Sequence, residues 1–258
     1  MAFWVGTGWK MNKTRGEAAA YVHTLRMAAD IGSLGARLFV LPPFTALAET
    51  AAGLGGSGVL AGAQNMHWAR DGAWTGEISA AMISDCGASI VELGHSERRT
   101  HFNETDAAIN AKTRAALAAG LMPLVCVGET AEERSLDAAA TTVQRQTRMA
   151  LSGVAPDDAD RLLLAYEPVW AIGEGGTPAT PEQAREIHEA IAEAASDLLG
   201  QRPAILYGGS VNRGNCEALA RVGAIDGLFI GRSAWQAEGL LDIARAAVAA
   251  RREAGLMP

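Results

Sequence analysis

The sequence predicts an α/β protein in which parallel strands close into a (β/α)8 barrel. Short apolar runs alternate with helical stretches along the 258-residue chain, and about eight such units fit this length. The runs lack a polar face, as expected for parallel strands that helices cover. Because no Ser/Gly/Pro-rich or charged linker divides the chain, we expect residues 1–258 to form a single domain.

The predicted strands are short apolar runs that stop at glycine or polar residues. In chain order they cover residues 3–6, 37–41, 59–61, 90–93, 122–127, 162–166, 204–207 and 227–230. Predicted helices fill the intervals at residues 14–30, 45–54, 80–86, 105–119, 135–151, 180–199, 215–222 and 240–252. The clearest helix start is at Thr180, because Pro181 suits the first helical position and Gln183 completes a capping box.

The alternative fold is an open, doubly wound sheet. That fold predicts a G-x-G-x-x-G fingerprint after the first strand. The run Gly6-Thr7-Gly8-Trp9-Lys10 does not supply it, so the barrel is favoured.

Composition narrows the classes of function. The formal net charge is −7 and we find no clustered Lys/Arg face, which argues against a nucleic-acid partner. No apolar window reaches the length of a membrane span and no signal peptide is recognised, so a membrane partner is not expected. Three distant cysteines favour a reducing cytoplasm over a disulfide framework or a metal cluster. His23 and His188 lie on predicted helices, where solvated positions are expected.

An acid at the end of the sixth predicted strand is the most informative feature of the chain. Glu167 follows a buried apolar run, where its pKa can rise and it can act as a base. The residues after it predict a closing lid with an apolar body and a glycine hinge. The residues that define this lid are Pro168, Val169, Trp170, Gly173, Gly175 and Gly176.

Polar side chains follow three predicted strands and converge at one end of a barrel. Lys10 follows strand one, His95 follows strand four and Glu167 ends strand six. These groups suit proton abstraction next to a carbonyl: Glu167 removes the proton, His95 donates to the developing oxyanion and Lys10 supplies positive charge. A helix that begins after His95 would favour a neutral imidazole.

Glycines from three loops predict an anion site. Gly173, Gly208-Gly209-Ser210 and Gly231 follow strands six, seven and eight. Glycine lets backbone N–H groups approach an anion closely, and this part of a barrel often binds phosphate. The expected substrate is a small phosphorylated carbonyl compound.

Each of these residues has an ordinary structural explanation when it is taken alone. Glu167 would be a salt-bridged strand end, His95 a structural histidine and Lys10 a solvated charge. Cys126 lies inside an apolar strand, so we expect a packing residue with a minor role at the site.

Taken together, the motifs resemble the signature of the triosephosphate isomerase family. The matching segments run in order along the chain and cover residues 9–12, 64–65, 75–79, 93–99, 125–130, 165–173 and 207–211. The resemblance implies a TIM barrel and an isomerase that moves a carbonyl through an enediolate without cofactor or metal. It also implies that Glu167 is the base, His95 the electrophile and Lys10 the electrostatic anchor, with Glu97 as the charged partner of Lys10.

The resemblance extends to the phosphate site and to assembly. Gly173, Ser210 and Gly231 correspond to the family's phosphate donors. Residues 65–79 correspond to its dimer loop, which implies a homodimer in which Thr75 reaches the neighbouring site.

Three departures from the family pattern lie at the site. Gly8 stands where Asn usually precedes the Trp-Lys pair, Arg232 replaces the second glycine of the last loop, and the lid is one residue longer. Gly8 makes room for a larger substrate, such as a ketose phosphate with one added hydroxymethyl group. Arg232 is expected to brace the phosphate loop or to bind phosphate. Segments 6–14, 64–68, 72–75 and 227–235 resemble the subgroup that isomerises tetrulose (erythrulose) phosphates.

Three other functions stay open. A triosephosphate isomerase of glycolysis would tolerate these changes if a water replaced the Asn side chain and Arg232 pointed outward. A non-catalytic phosphate-binding barrel would not need the intact set of Glu167, His95 and Lys10. A Schiff-base aldolase would need Lys10 in an apolar pocket.

Overall fold

Eight parallel strands form a closed barrel in chain order, with the last strand paired back to the first. A computed structural model describes residues 2–173 and 175–257. The strands are β1 Phe3–Gly8, β2 Ala36–Leu41, β3 Leu60–Ala63, β4 Ile90–Leu93, β5 Met122–Val127, β6 Leu163–Tyr166, β7 Ala204–Tyr207 and β8 Gly227–Ile230. The predicted fold class is therefore confirmed, and every predicted strand overlaps an observed one.

Helices connect the strands and cover the outside of the barrel. Those in the described residues are α1 Arg15–Met27, α2 Phe44–Leu54, α3 Ala80–Asp85, α4 Ser96–His101, α5 Asp106–Ala118, α6 Ala131–Ser135, α7 Ala139–Leu151, α8 Pro181–Leu199, α9 Cys216–Ala220 and α10 Ala237–Glu253. Within this described part, none is both long and apolar enough to cross a membrane. The capping box at Thr180 and Gln183 is present as predicted.

The helix prediction differs from the structure where elements are short. The predicted helix at 135–151 corresponds to α7, which begins at Ala139, and α6 is not predicted. Helix α4 is not among the predicted spans, although a helix start after His95 is considered. Three 3-10 turns are also not predicted, at Pro156–Arg161, Val169–Ala171 and Arg232–Ala234. Segments of one or two turns carry too little periodic pattern to be recognised.

Strand side chains alternate between two apolar layers, one inside the barrel and one beneath the helices. Inside, Phe39 and Phe229 stack with ring centroids 5.7 Å apart. Gly6 provides the space for this stack, because a Cβ at Gly6 would lie 2.2 Å from the Phe39 ring. The two rings close the barrel interior beneath its carboxyl-terminal end.

His188 is fully buried, so the prediction of a solvated position is wrong. It shares the inner face of α8 with the buried Ile191, one helical turn away. Its Nδ1 atom lies 3.2 Å from the Ala224 carbonyl oxygen, and its ring packs against Tyr166 and Tyr207. Burial lowers the pKa of His188 to about 3.

Candidate active site

A cavity of about 510 Å³ opens at the carboxyl ends of the strands. Active sites of (β/α)8 barrels occupy this position. Its wall combines ionisable side chains with glycines from three loops. Among the lining residues are Gly8, Lys10, Glu92, His95, Glu97, Glu167, Gly173, Gly176, Ser210, Phe229, Gly231 and Arg232.

Glu167 lies directly after β6 and faces this cavity. Its backbone N–H donates to the Val127 carbonyl oxygen at 2.8 Å, which fixes the end of the strand. The residue is only 3% exposed, and its Oε1 lies 3.6 Å from His95 Nε2. Its Oε2 is buried without a hydrogen-bond partner among the described residues. A buried carboxylate oxygen without a partner, next to a cavity, is costly for stability and indicates a functional position.

His95 is the N-cap of α4, so a helix begins directly after this residue. The Glu97 backbone N–H donates to His95 Nδ1 at 3.1 Å. A ring nitrogen that accepts an N–H carries no proton, so the neutral ring carries its proton on Nε2. Nε2 is the atom that faces Glu167, and it can donate to an oxygen bound between them.

Lys10 lies just after β1 in a left-handed backbone conformation, with φ 54°. Gln64 stabilises this turn, because its Nε2 donates to the carbonyl oxygens of Lys10 and Leu41 at 3.0 and 2.9 Å. The Lys10 ammonium forms an ion pair with Glu97 at 2.6 Å. Partial burial opposes ionisation of Glu97, but the hydrogen bond from Lys10 and nearby positive charge lower its pKa. Lys10 thus has the charged partner that the sequence predicts, and it does not lie in an apolar pocket.

The predicted phosphate residues lie together in the cavity wall. Gly173 and Ser210 have left-handed backbone, with φ of 89° and 52°. The Ser210 hydroxyl donates to the Ala171 carbonyl oxygen, which joins the loop after β7 to the lid. No atom lies within 4 Å of a Cβ built on Gly231, so a ligand can approach its backbone closely. Arg232 follows at the start of a 3-10 turn.

The lid contacts the barrel at both of its ends. Near its start, Glu129 Oε1 accepts hydrogen bonds from Trp170 Nε1 at 2.7 Å and from the Tyr166 hydroxyl at 3.0 Å. Beyond its far end, the Ala179 backbone N–H donates to the Tyr207 hydroxyl at 3.1 Å. Glu129 is not among the site residues that the sequence predicts. The sequence feature that could have revealed Glu129 is an acid two residues after an apolar strand.

Glu92 is a second acid that the sequence does not predict for the site. It lies on β4, two residues after Ile90, and shares the interior face of the barrel. The Cys126 thiol is 3.9 Å from its Oε1. Burial raises the pKa of Glu92 to about 7, although the nearby His95 has the opposite effect. The sequence feature that could have revealed Glu92 is an acid within an otherwise apolar strand.

Some predicted residues lie outside the main cavity. Cys126 lies below it, where burial and the charges of Glu167 and Glu92 raise the pKa of its thiol. Thr75 is exposed in the loop at residues 65–79 and does not line the cavity. Glu174, within the predicted lid, lies outside the described residues.

Within the described residues, side chains that could bind a metal ion come together in this cavity. In residues 2–173 and 175–257, the group of three that could hold a cation is Glu92, His95 and Glu167, whose ligand atoms lie within 4.8 Å of one another. Two of these residues are the predicted electrophile and base, so a cation would occupy the space between the groups that face a substrate.

The fold and this site define a barrel enzyme in which a buried carboxyl, an imidazole and glycines from three loops line one cavity. The profile of the triosephosphate isomerase family matches residues 3–247. The chain therefore belongs to this family of isomerases, as the sequence motifs predict.

Relatives that match along nearly the whole chain are named L-erythrulose-1-phosphate isomerase. The protein from Brucella abortus biovar 1 (strain 9-941) is 53% identical over 243 residues, which cover 93% of this chain and 94% of the relative. That from Rhizobium etli is 53% identical over 94% of this chain and 91% of its own length. That from Mesorhizobium japonicum is 49% identical over 97% of this chain and 99% of its own length.

Proposed function

We propose that the chain isomerises L-erythrulose 1-phosphate by moving its carbonyl between the two inner carbons. The observation that carries this proposal is that Gly8 adds no side chain to the wall of the cavity of about 510 Å³. A Cβ at this position would lie 3.2 Å from Phe229 Cζ and 3.6 Å from Glu92 Oε2. Phe229 and Glu92 therefore already crowd this position, so an Asn side chain here would have to extend into the cavity. Its absence leaves that part of the cavity to the additional hydroxymethyl group of a tetrulose phosphate. The names of relatives about half identical to this chain support the same substrate.

Glu167, His95 and Lys10 carry the chemistry in this proposal. Glu167 takes the proton from C3, and the electrons of that C–H bond form the C2–C3 double bond of an enediolate. The Nε2–H of His95 donates to the C2 oxygen as it becomes negative, and Lys10 adds positive charge. The proton then returns to C2, and the hydroxyl group at C3 loses its proton to form the new carbonyl. The phosphate stays in place, and because the product is numbered from the other end of the chain it is a tetrulose 4-phosphate. No atom is gained or lost, so the proposed reaction needs no cofactor.

The remaining predicted residues hold and enclose the substrate. Gly173, Ser210 and Gly231 offer backbone donors to the phosphate, and Arg232 adds a charged donor at the same loop. The lid, held by Glu129, excludes water from the enediolate.

Comparison of two substrates tests the proposal. We expect kcat/KM of the purified protein to be higher for L-erythrulose 1-phosphate than for dihydroxyacetone phosphate. A Gly8→Asn variant should shift this preference toward the triose. A strong triose preference of the unmodified protein, together with rescue of a strain that lacks triosephosphate isomerase, would instead support the glycolytic enzyme.

We also propose that the protein is a cytoplasmic homodimer that pairs through residues 65–79. Within this loop, the buried His67 ring stacks on Trp68 with centroids 4.1 Å apart and also packs against the tilted Trp74 ring, whose centroid is 4.3 Å away. The two tryptophans are 42% and 48% exposed, so they offer apolar surface to a second copy, in which Thr75 would approach the partner's cavity. Light scattering tests this, with a mass near that of one chain as the contradicting result.

A further inference from the structure

Glu92 occupies a position where an acid is hard to explain by packing alone. The side chains that share the barrel interior with it are apolar, including Ile90, Leu124 and Phe229. It is 5% exposed, and the hydrogen bond that its Oε1 receives comes from a thiol, a weak donor. A buried carboxyl with so weak a partner destabilises a fold, so a functional contact is the better explanation.

The carboxyl of Glu92 lies close to Gly8 in the wall of the cavity. A Cβ on Gly8 would stand 3.6 Å from Glu92 Oε2, in van der Waals contact, and 3.2 Å from the Phe229 ring. The three residues line the same cavity as Glu167 and His95. One ligand atom each of Glu92, His95 and Glu167 lies within 4.8 Å of the others, so a group bonded to a reacting carbon can reach Glu92.

The substrate supplies one group that needs a partner there. A tetrulose phosphate differs from a triose phosphate by a hydroxymethyl group on the reacting carbon farther from the phosphate. That carbon's substituent points away from the loops with Ser210 and Gly231 when these loops hold the phosphate. Its hydroxyl must exchange hydrogen bonds with water for hydrogen bonds with protein.

On the basis of the proposed function, we propose that Glu92 binds this terminal hydroxyl in the space of the cavity that it lines together with Gly8, and thereby selects tetrulose over triose phosphates. The carboxylate accepts the hydroxyl hydrogen, and the protonated acid can also donate. With a triose phosphate the carboxyl keeps no ligand partner and the space stays unfilled. A site that hydrogen-bonds a substrate hydroxyl discriminates strongly against an analogue that lacks it.

Kinetics of Glu92 variants on both substrates test the proposal. Glu92→Leu should lower kcat/KM for L-erythrulose 1-phosphate by about 10- to 100-fold, the effect of one hydrogen bond to a charged group. The ratio of kcat/KM for the tetrulose to kcat/KM for dihydroxyacetone phosphate, with solvent deuterium exchange into the triose followed by NMR as a second readout, should fall by about tenfold or more. Glu92→Gln keeps a donor and an acceptor and should fall between Glu92→Leu and the unmodified protein. Ile90→Val, a matched change on the same interior face, should leave both substrates unaffected.

The possible results separate the two proposals. An unmodified protein that is inactive on L-erythrulose 1-phosphate would overturn the proposed function and the role of Glu92 with it. A kcat/KM on the tetrulose that is unchanged in Glu92→Leu would overturn the role of Glu92 alone. Equal losses on both substrates would also overturn it, and would assign Glu92 to the positioning of His95 and Glu167. Thermal melting of each variant checks folding, and Glu92→Gln keeps the test decisive if Glu92→Leu does not fold.

Discussion

The Nε2 atom of His95 lies 3.6 Å from Oε1 of Glu167, although these residues follow strands β4 and β6. The two side chains are both nearly buried and face one cavity. Because Glu97 donates its backbone N–H to Nδ1, the imidazole presents a donor and the carboxylate an acceptor to the same bound molecule. This pairing of a base with a neutral acid is the arrangement that the proposed carbonyl shift requires.

Glu167→Gln tests the base directly. The amide has the same shape but cannot take a proton from carbon, so kcat should fall by roughly 10²–10⁴-fold or more. The measurement is kcat on L-erythrulose 1-phosphate, with circular dichroism to confirm that the fold is intact. Turnover close to that of the unmodified protein would remove Glu167 from this role.

Trp170→Phe tests the contact that holds the lid. The substitution removes the Nε1–H that Glu129 accepts at 2.7 Å while keeping an aromatic ring. Loss of one hydrogen bond to a carboxylate should lower kcat/KM by roughly tenfold. Steady-state kinetics measure it, and unchanged kcat/KM would show that this contact does not govern closure.

Arg232→Gly tests whether the arginine contributes to phosphate binding. It restores the glycine typical of the family and removes a charged donor, so KM and the inhibition constant of inorganic phosphate should both rise by about tenfold. A change in kcat with both constants unaltered would instead indicate that Arg232 braces its loop.

The pH dependence of stability tests the environment of Glu92. Its pKa is about 7 in the folded protein against an ordinary value of 4.5, so the folded state binds more protons between these values. The free energy of unfolding should therefore fall as pH rises from about 4.5 to about 7, by up to about 3 kcal/mol. Urea unfolding at several pH values measures this. Glu92→Gln should lose this dependence, whereas the opposite dependence caused by His188 stays in both proteins and cancels in the comparison.

Metal removal tests the expectation of chemistry without a cofactor. Treatment with EDTA followed by assay should leave kcat and KM unchanged, because proton transfer by Glu167 and His95 needs no Lewis acid. A loss of activity that a divalent cation restores would instead place an ion among Glu92, His95 and Glu167.

Much of the fold is predictable because its signals are local. The strands at residues 90–93, 122–127, 204–207 and 227–230 have the predicted bounds, since each is a short, largely apolar run that stops before a glycine. Short elements such as α4 give no periodic signal. The burial of His188 also escapes prediction, because a lone histidine on an amphipathic helix does not reveal which neighbours cover it.

The sequence by itself determined the order of the β/α units, the family, and the placement of Lys10, His95 and Glu167 at strand ends. Alternation and motif spacing fix these, because parallel strands bring their carboxyl ends to one edge. Only the tertiary structure decided that Glu92 on β4 faces Gly8 on β1 across the interior. These strands are not neighbours in the barrel. The distance between Glu92 and Gly8 depends on closure of the barrel by all eight strands, and no local pattern of residues encodes it.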